Sequence, residues 1–579
     1  MYILGINAYH GDASACLFKD GDLLAAVEEE RIVRIKHWAG FPHRSIDLCL
    51  KEAGIAIADV DHITIARDPR ANVVKKAIHV LRHFTSISAV KDRFINKKKI
   101  TNIAKDFSAF FDISEGEAAT KIRYIEHHRS HLASSFFASP FEESAVLSID
   151  AFGDFTSTML GNGVGNKIDV ISEVNFPHSV GAFYTAFTQY LGFNKFGDEY
   201  KLMGLSPYGS PKMINEVRDA VIFKEDGLFE LNLDYFTHHV KGVKTKIIDE
   251  SDPTPSRIFS DHMILKFGAL RANGDITDYH KNLASSVQAV TEELIFHVLN
   301  HLREVTGSKN ICIAGGVAQN SVANGKILDN TGFENLYVPP AGHDAGTAIG
   351  SVLWFYNQLQ GSDRIKPMQH SYFGSEFSDD EIEDYLKSNN VVYKKYTDSE
   401  LNEKVTECLI NAGVVGWFQG RAEFGPRSLG NRSILCDPTR SDAKELINAK
   451  IKRREPFRPF APSILKEHVS DFFEKDESAP FMEKVLQIKL DKRELLSAVT
   501  HVDGSGRLQT VDKETNPKYY SLIEKFYQKT GVPILLNTSF NENEPIVNMP
   551  SQAYACFSRT SMDMVVMGNI LIERKELEL

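Results

Sequence analysis

Short apolar runs alternate with turns rich in Gly, Asp and Asn along the first thirty residues. Residues 2–7 (YILGIN) read as a strand, and the polar turn Tyr9-His10-Gly11-Asp12 follows. Residues 13–18 (ASACLF) form the next apolar run, Lys19-Asp20-Gly21 the next turn, and residues 23–27 (LLAAV) a third run. The pattern returns at residues 145–150 (AVLSID), a Gly153-Asp154 turn and residues 156–160 (TSTML), closed by Gly161-Asn162-Gly163. One order of strand, loop and strand used twice predicts an internal duplication.

Between the copies, residues 43–54 read as a helix and 62–67 as a strand. Residues 71–111 read as a helical, basic insertion holding Lys97-Lys98-Lys99, a solvated surface segment rather than a nucleic-acid site. Residues 197–209 read as a Gly-bounded loop, 211–280 give mixed signals, and a helix is expected over about 282–306. Residues 310–320 read as strand, glycine turn and helix start, where bare main chain at Gly315 and Gly316 can approach a nucleotide. The turn at 339–346 opens another helix, with Asp344 near its start, an N-cap position. Composition turns polar at 358–367, so two domains are expected, 1–360 and 361–579. The second holds a strand at 534–539 and a hairpin near 565–572. Paired strand–loop–strand units with Asp and Gly at the loop are the layout of the α/β actin and sugar-kinase type fold. That analogy sets an expectation of fold, with a nucleotide between the halves, and no more.

A chain of 579 residues is too long for one core. Its net charge of −11 argues against nucleic acid as the main partner. Cys16, Cys49, Cys312, Cys408, Cys436 and Cys556 are scattered without a C-x-x-C pair, the usage of reduced thiols in a cytoplasmic protein. The chain opens on a strand rather than a signal peptide, and no run of 18 apolar residues occurs.

Against that acidity, residues 420–462 gather Arg421, Arg427, Arg432, Lys450, Lys452, Arg453, Arg454 and Arg458. Several adjoin Gly or Pro, so rigid turns rather than a helix face present them. Planar guanidinium forks suit phosphate and carboxylate, which points to a pocket for a small phosphorylated anion. A basic surface patch or a domain-interface ion-pair network is the alternative, which Glu423, Asp437 and Glu455 keep open. A second candidate is His127 and His131, four apart and so on one face of a helix. With Asp150 and Asp344 they would make a mixed N/O set suited to Fe, Mn or Zn; a polar helix face is the plainer reading.

These residues carry a resemblance. The chain is similar to the O-carbamoyltransferases of the nodulation-factor and antibiotic-tailoring family. The matching stretches are GDASA, EEERIVRIKH (28–37), HHRSHLASSFF (127–137), GDEYKLMGLSPYG (197–209), CIAGGVAQN (312–320) and GHDAGTAIG (342–350). Further on come GRAEFGPRSLGNRSIL, REPFRPFAPS, HVDGSGRLQTV and LLNTSFNENEPIV. They span nearly the whole chain in family order.

The resemblance implies a duplicated actin/sugar-kinase-like N-terminal domain and a YrdC-like C-terminal domain. It implies two steps: carbamoyl phosphate and ATP, with Mg, give carbamoyl-adenylate and pyrophosphate, and the carbamoyl group then passes to an acceptor hydroxyl with release of AMP. Carbamoyl phosphate contacts are implied for Arg427, Lys452, Arg458, Arg507 and Asn537. Metal ligands of iron type are implied for His127, His131, Asp150 and Asp344, and nucleotide contacts for Lys36, Lys201, Gly315, Gly316 and Asn320. The expected partners are carbamoyl phosphate, ATP, a small-molecule hydroxyl acceptor and a second copy in a homodimer, with no nucleic acid and no membrane. The family often has His directly before the Asp of the first loop; here Gly11 stands there and His10 is one residue earlier. His10, with Asp12 as its partner, is the expected general base. An actin-type kinase and a carbamoyl-binding protein without turnover are the competing readings.

Overall fold

The computed structural model describes residues 1–83, 100–243, 245–246, 253–268, 270–271 and 274–574, and Lys97-Lys98-Lys99 lies outside them. The chain divides into two compact units, Met1–Met368 and Gln369–Leu579.

The first unit holds two five-stranded sheets built to one plan. In one, β1 (Tyr2–Asn7), β2 (Ser14–Lys19), β3 (Asp22–Glu28), β4 (His62–Ile65) and β5 (Ile122–Tyr124) lie in the order β3-β2-β1-β4-β5. In the other, β6 (Glu143–Gly153), β7 (Thr156–Val164), β8 (Lys167–Asn175), β9 (Asn310–Ala314) and β10 (Asn335–Tyr337) lie in the order β8-β7-β6-β9-β10. Strand directions match as well. β1 and β6 each pair antiparallel with the strand that follows and parallel with the strand on their other side. This repeated order is the duplicated α/β core of actin and the sugar kinases. β1 is buried at every position after Tyr2, as expected of a strand covered on both faces.

Helix α1 (His43–Ala53) ends at Gly54, whose φ of 64° closes the last turn. Helix α2 (His127–Phe136) buries every residue except Arg129, so it is a core helix and not a polar surface face. Helix α3 (Asp278–Thr306) buries Leu283, Val287, Val290, Leu294, Val298 and Leu302, a stripe at spacings of three and four. Helix α4 (Thr347–Leu353) positions the site. A Cβ on Gly5 would come 2.3 Å from the Ala348 carbonyl oxygen, and one on Gly350 would come 1.8 Å from that of Ser130. So α4 touches β1 on one side and α2 on the other, backbone to backbone. Residues 197–209, expected as a loop, contain a helix, Glu199–Leu205, and a tight turn, Ser206–Tyr208.

The second unit is built on one nine-stranded sheet. Its strands are β11 (Lys394–Lys395), β12 (Val415–Phe418), β13 (Arg432–Cys436), β14 (Ala461–Leu465), β15 (Lys484–Gln487), β16 (Ser505–Val511), β17 (Ile534–Ser539), β18 (Met564–Met567) and β19 (Ile570–Glu573). The order is β11-β19-β18-β12-β13-β17-β14-β16-β15. Ser463 stands beside Gln509, and Ala461 beside Asn537. Side chains alternate along a strand, so Ser463, Arg507, Gln509 and Asn537 share one face. No helix among the described residues is long and apolar enough to cross a membrane.

Candidate functional site

The first unit brings four side chains to one point. One turn of α2 stacks His127 over His131, and both are fully buried. Asp150 comes from β6, and Asp344 opens the short turn Asp344–Gly346 before α4. The two histidine Nε2 atoms are 3.1 Å apart. Asp150 Oδ2 lies 3.5 Å from His127 Nε2 and 3.2 Å from His131 Nε2. Asp344 Oδ1 lies 3.5 and 3.4 Å from the same atoms. All four donor atoms lie within 4.8 Å of one another, close enough to surround one first-row divalent cation with N and O ligands. Asp344 Oδ1 also makes no hydrogen bond of its own. The donor set therefore fits Fe, Mn or Zn. A Cβ on Gly153 would come 1.9 Å from the His127 ring, so that glycine makes room for the imidazole.

The electrostatics are those of two interleaved ion pairs. Burial pushes His127 down, but Asp150 and Asp344 hold it up at about 10. Burial and the Asp344 charge push Asp150 up, and the two imidazoles more than reverse this, leaving it below the ordinary carboxylate range.

His10 reaches the same cluster from the first loop. Its Nδ1 is 2.6 Å from Asp344 Oδ2, and its ring centroid is 5.1 Å from that of His127. Asp12 does not pair with His10. Its Oδ1 is 2.7 Å from His37 Nδ1, and the His37 amide donates to Glu30. Tyr9, Asp12 and His37 all hold left-handed φ values, 56°, 56° and 52°, so strained backbone concentrates at this loop. His37 ends the EEERIVRIKH stretch, which was the one sequence signal for it.

Burial disfavours the His37 cation, but Asp12 and then Glu30 raise it to about 9, while the pair with His37 leaves Asp12 lowered despite its own burial. A raised His stabilises fully below its unfolded value, about 6.5. That contribution fades as pH rises through 9. His37→Ala is therefore expected to cost about 1–3 kcal/mol at pH 6 and progressively less between pH 7 and 10, measured as the difference in urea-unfolding free energy from wild type. A difference that stays constant to pH 10 would remove the ion pair from the account.

The expected nucleotide residues are mixed. Gly315 has φ 102°, and a Cβ there would come 2.2 Å from the Ile149 carbonyl oxygen; a Cβ on Gly316 would come 2.8 Å from Asp150 Oδ1. Their bareness seats the turn against the β6 end. Asn320 accepts the Ala323 amide and exchanges hydrogen bonds with Gln288. Lys201 lies 2.9 Å from Asp198 and over the Phe193 ring. Lys36 adjoins His37.

In the second unit, Arg454 and Arg458 gather around Arg427 and Arg507 closely enough to act on their charges. Burial, then Arg458, lowers Arg427 to about 10. Burial, then Arg427, Arg454 and Arg458, lowers Arg507 well below its usual value. Among the described residues, neither Arg427 nor Arg507 has an ion pair, and Arg507 Nε has no hydrogen-bond acceptor. Arg454 stacks on Phe460, and Arg458 sits 3.6 Å from Glu455.

Glu423 and Asp437 are committed elsewhere. Glu423 accepts the amides of Leu429, Asn431 and Arg432, and Asp437 accepts from Thr439. Not every cation of residues 420–462 joins the cluster. Arg421 donates to the carbonyls of Gly374 and Phe373. Arg432, 1% exposed, donates to those of Gln419, Gly420, Asn431 and Ser375, and Lys450 pairs with Asp563. Lys452 is also buried, its ammonium donating to Ser539 O, Asn541 O and Asn541 Oδ1. It clamps the loop after β17. Asn537 Nδ2 donates to Ser428 O, Ser463 Oγ and Gln509 Oε1, while its Oδ1 is buried without a partner. Sequence reasoning missed Ser463 and Gln509, because neutral polar residues on a strand carry no periodic or charge signal.

Family models describe both parts of the chain: carbamoyltransferase N-terminus over residues 2–353 and carbamoyltransferase C-terminus over 406–574. An uncharacterised protein of Synechocystis is 41% identical over 99% of this chain and 97% of its own. Nodulation protein NolNO of Sinorhizobium fredii is 39% identical over 98% of this chain and 80% of its own. Nodulation protein U of Bradyrhizobium diazoefficiens is 26% identical over 93% and 92%. Among solved structures, T. kodakarensis HypF aligns over 62% of this chain and 48% of its own at 10% identity and a TM-score of 0.30. ROK hexokinase from Thermus thermophilus aligns over 62% and 100% at 13% and 0.29. With family matches across both units and relatives near 40% identity over almost its full length, the chain belongs to the carbamoyltransferases and is a transferase.

Proposed function

We propose that this carbamoyltransferase is ATP-dependent and acts on a hydroxyl of a small-molecule acceptor through a carbamoyl-adenylate. The observation that carries the reading is the half-buried guanidinium cluster whose Arg427 and Arg507 have no carboxylate partner among the described residues. Such a cluster is destabilising in itself, and a doubly charged anion such as carbamoyl phosphate relieves it. The second unit, YrdC-like by resemblance, is then the adenylation unit. Water cleaves carbamoyl phosphate to carbamate and inorganic phosphate. A carbamate oxygen attacks the α-phosphorus of Mg-bound ATP, and pyrophosphate leaves. Lys36 and Lys201 in the first unit are the proposed cations for the adenylate phosphate. The acceptor oxygen attacks the carbamoyl carbon, and AMP leaves.

His10 suits the proton transfer. Its Nδ1 lies 2.6 Å from Asp344, and with hydrogen on that nitrogen the Nε2 lone pair is left to accept the acceptor proton. Asp344, rather than Asp12, thus fills the orienting role. His127, His131, Asp150 and Asp344 would hold a divalent cation, which when bound supplies Lewis-acid polarisation and an anchoring charge. His10→Asn is expected to leave carbamoyl-phosphate-dependent pyrophosphate release intact and to cut acceptor carbamoylation by ~100-fold or more. Transfer within a few-fold of wild type would rule His10 out as the base.

Product analysis tests the whole reading. A screen of sugar, aminoglycoside and macrolide hydroxyls should give AMP and pyrophosphate that depend on carbamoyl phosphate. ADP release would instead indicate a kinase, and no nucleotide product a binding protein.

A further inference from the structure

We infer that Gln509 and Ser463 form a lock that makes the donor pocket accept a carbamoyl group and reject the isosteric acetyl group. The inference rests on the carbamoyl phosphate reading of the second unit and names what gives that site its selectivity.

The hydrogen bonds fix two amide orientations in turn, starting from a group that can only accept. The Leu429 carbonyl takes a hydrogen bond from the Gln509 side chain at 2.8 Å. A carbonyl cannot donate, so the Gln509 nitrogen must face it and Oε1 must point the other way. That oxygen takes the Ser463 hydroxyl at 2.6 Å and the Asn537 side chain at 3.0 Å. With an oxygen facing it, Asn537 must present its nitrogen there. The Ser428 carbonyl, at 3.2 Å, takes the other hydrogen of that nitrogen through a longer contact. Both Asn537 hydrogens are thereby consumed, and Oδ1 is left as a buried acceptor without a donor.

An orphaned acceptor in a 1% exposed side chain costs free energy unless a ligand supplies a hydrogen. Asn537 shares the sheet face of Arg507 and bonds to the residue after Arg427, so its side chain lies on the face that carries the arginine cluster. A phosphate oxygen has no hydrogen to give at neutral pH, and neither has an acetyl methyl. The amino group of carbamoyl phosphate does. Were the Asn537 amide free to turn, it could present its nitrogen instead, and the discrimination would vanish. Gln509 and Ser463 are therefore positioning residues, acting through Asn537.

The test is the ratio of dissociation constants for acetyl phosphate and carbamoyl phosphate, measured by calorimetry on the full chain at 10 °C. Wild type should favour carbamoyl phosphate by ~100-fold or more. Gln509→Met, which keeps the shape and removes the anchor, should lower the ratio at least ~10-fold with ATP affinity unchanged. Gln509→Glu puts an oxygen against Asn537 in either protonation state and should retain the wild-type ratio, which mere loss of packing would not predict. If Gln509→Met fails to fold, Ser463→Ala should still lower the ratio several-fold. An unchanged ratio in a folded Gln509→Met or Ser463→Ala protein overturns the lock. So does a wild type that binds both phosphates equally, although the anion pocket would then stand. A wild type that binds neither overturns the pocket and the lock together.

Discussion

A protein carrying His127→Ala together with His131→Ala is expected to hold no transition metal and to transfer no carbamoyl group, while still releasing pyrophosphate with carbamoyl phosphate and ATP. Two of four donors go, and the two that remain are carboxylates whose mutual repulsion the imidazoles between them had offset. Breaking buried ion pairs on one side costs roughly 3–5 kcal/mol, so a loss of thermal stability in the first unit accompanies the loss of metal. Pyrophosphate release separates the two effects, because the proposed carbamoyl phosphate residues lie in the second unit and neither histidine is a proposed nucleotide contact. Full metal occupancy by elemental analysis in a folded double variant would refute the four-ligand assignment. Metal loss with acceptor carbamoylation intact would make the centre structural rather than catalytic.

How far the sequence reached differs between the two units for a physical reason. In the first, the duplication was legible because strand, Asp–Gly loop and strand recur in order, and local order is what fixes sheet topology. The histidine pair was legible because helix geometry alone places residues four apart together. Asp150 and Asp344 lie 194 positions apart and come together only because Gly5 and Gly350 let α4 press against β1 and α2. No local signal encodes that. Proximity in the chain suggested Asp12 as the partner of His10. Asp12 is two residues away, but its left-handed backbone turns it toward His37, while Asp344 comes in from the far end of the unit.

In the second unit, charge density in residues 420–462 was visible, and its direction was not. A guanidinium beside a glycine can turn to carbonyls as Arg421 does, or to other cations as Arg427 does, and the difference lies in which acceptors the fold brings near. The helix at Glu199–Leu205 was hidden by its bounding glycines and Ser-Pro, which punctuate a chain whether or not a short helix lies between them.

Arg427→Ala is expected to bind carbamoyl phosphate ~10- to 150-fold more weakly, the cost of one charge-assisted contact of ~1.5–3 kcal/mol, with ATP affinity little changed. The same substitution should make the ligand-free protein more stable. Arg427 is held down to about 10 by burial and by Arg458, below the ordinary guanidinium value, so its charge is less favourable folded than unfolded at neutral pH. Removing it relieves about 1–3 kcal/mol of that penalty, less the packing its side-chain stem provides. Arg458→Ala should weaken binding similarly and gain less stability, because it leaves Glu455 without its 3.6 Å partner. Thermal unfolding with and without the ligand reads both effects. Carbamoyl phosphate should raise the melting temperature of wild type, by mass action on the folded state, far more than that of Arg427→Ala. A variant with undiminished affinity would place the anion elsewhere. A variant that binds weakly and is also markedly less stable without ligand would make Arg427 a structural cation, and the cluster would then need a neutralising partner that the sheet face of Arg507 and Asn537 does not supply.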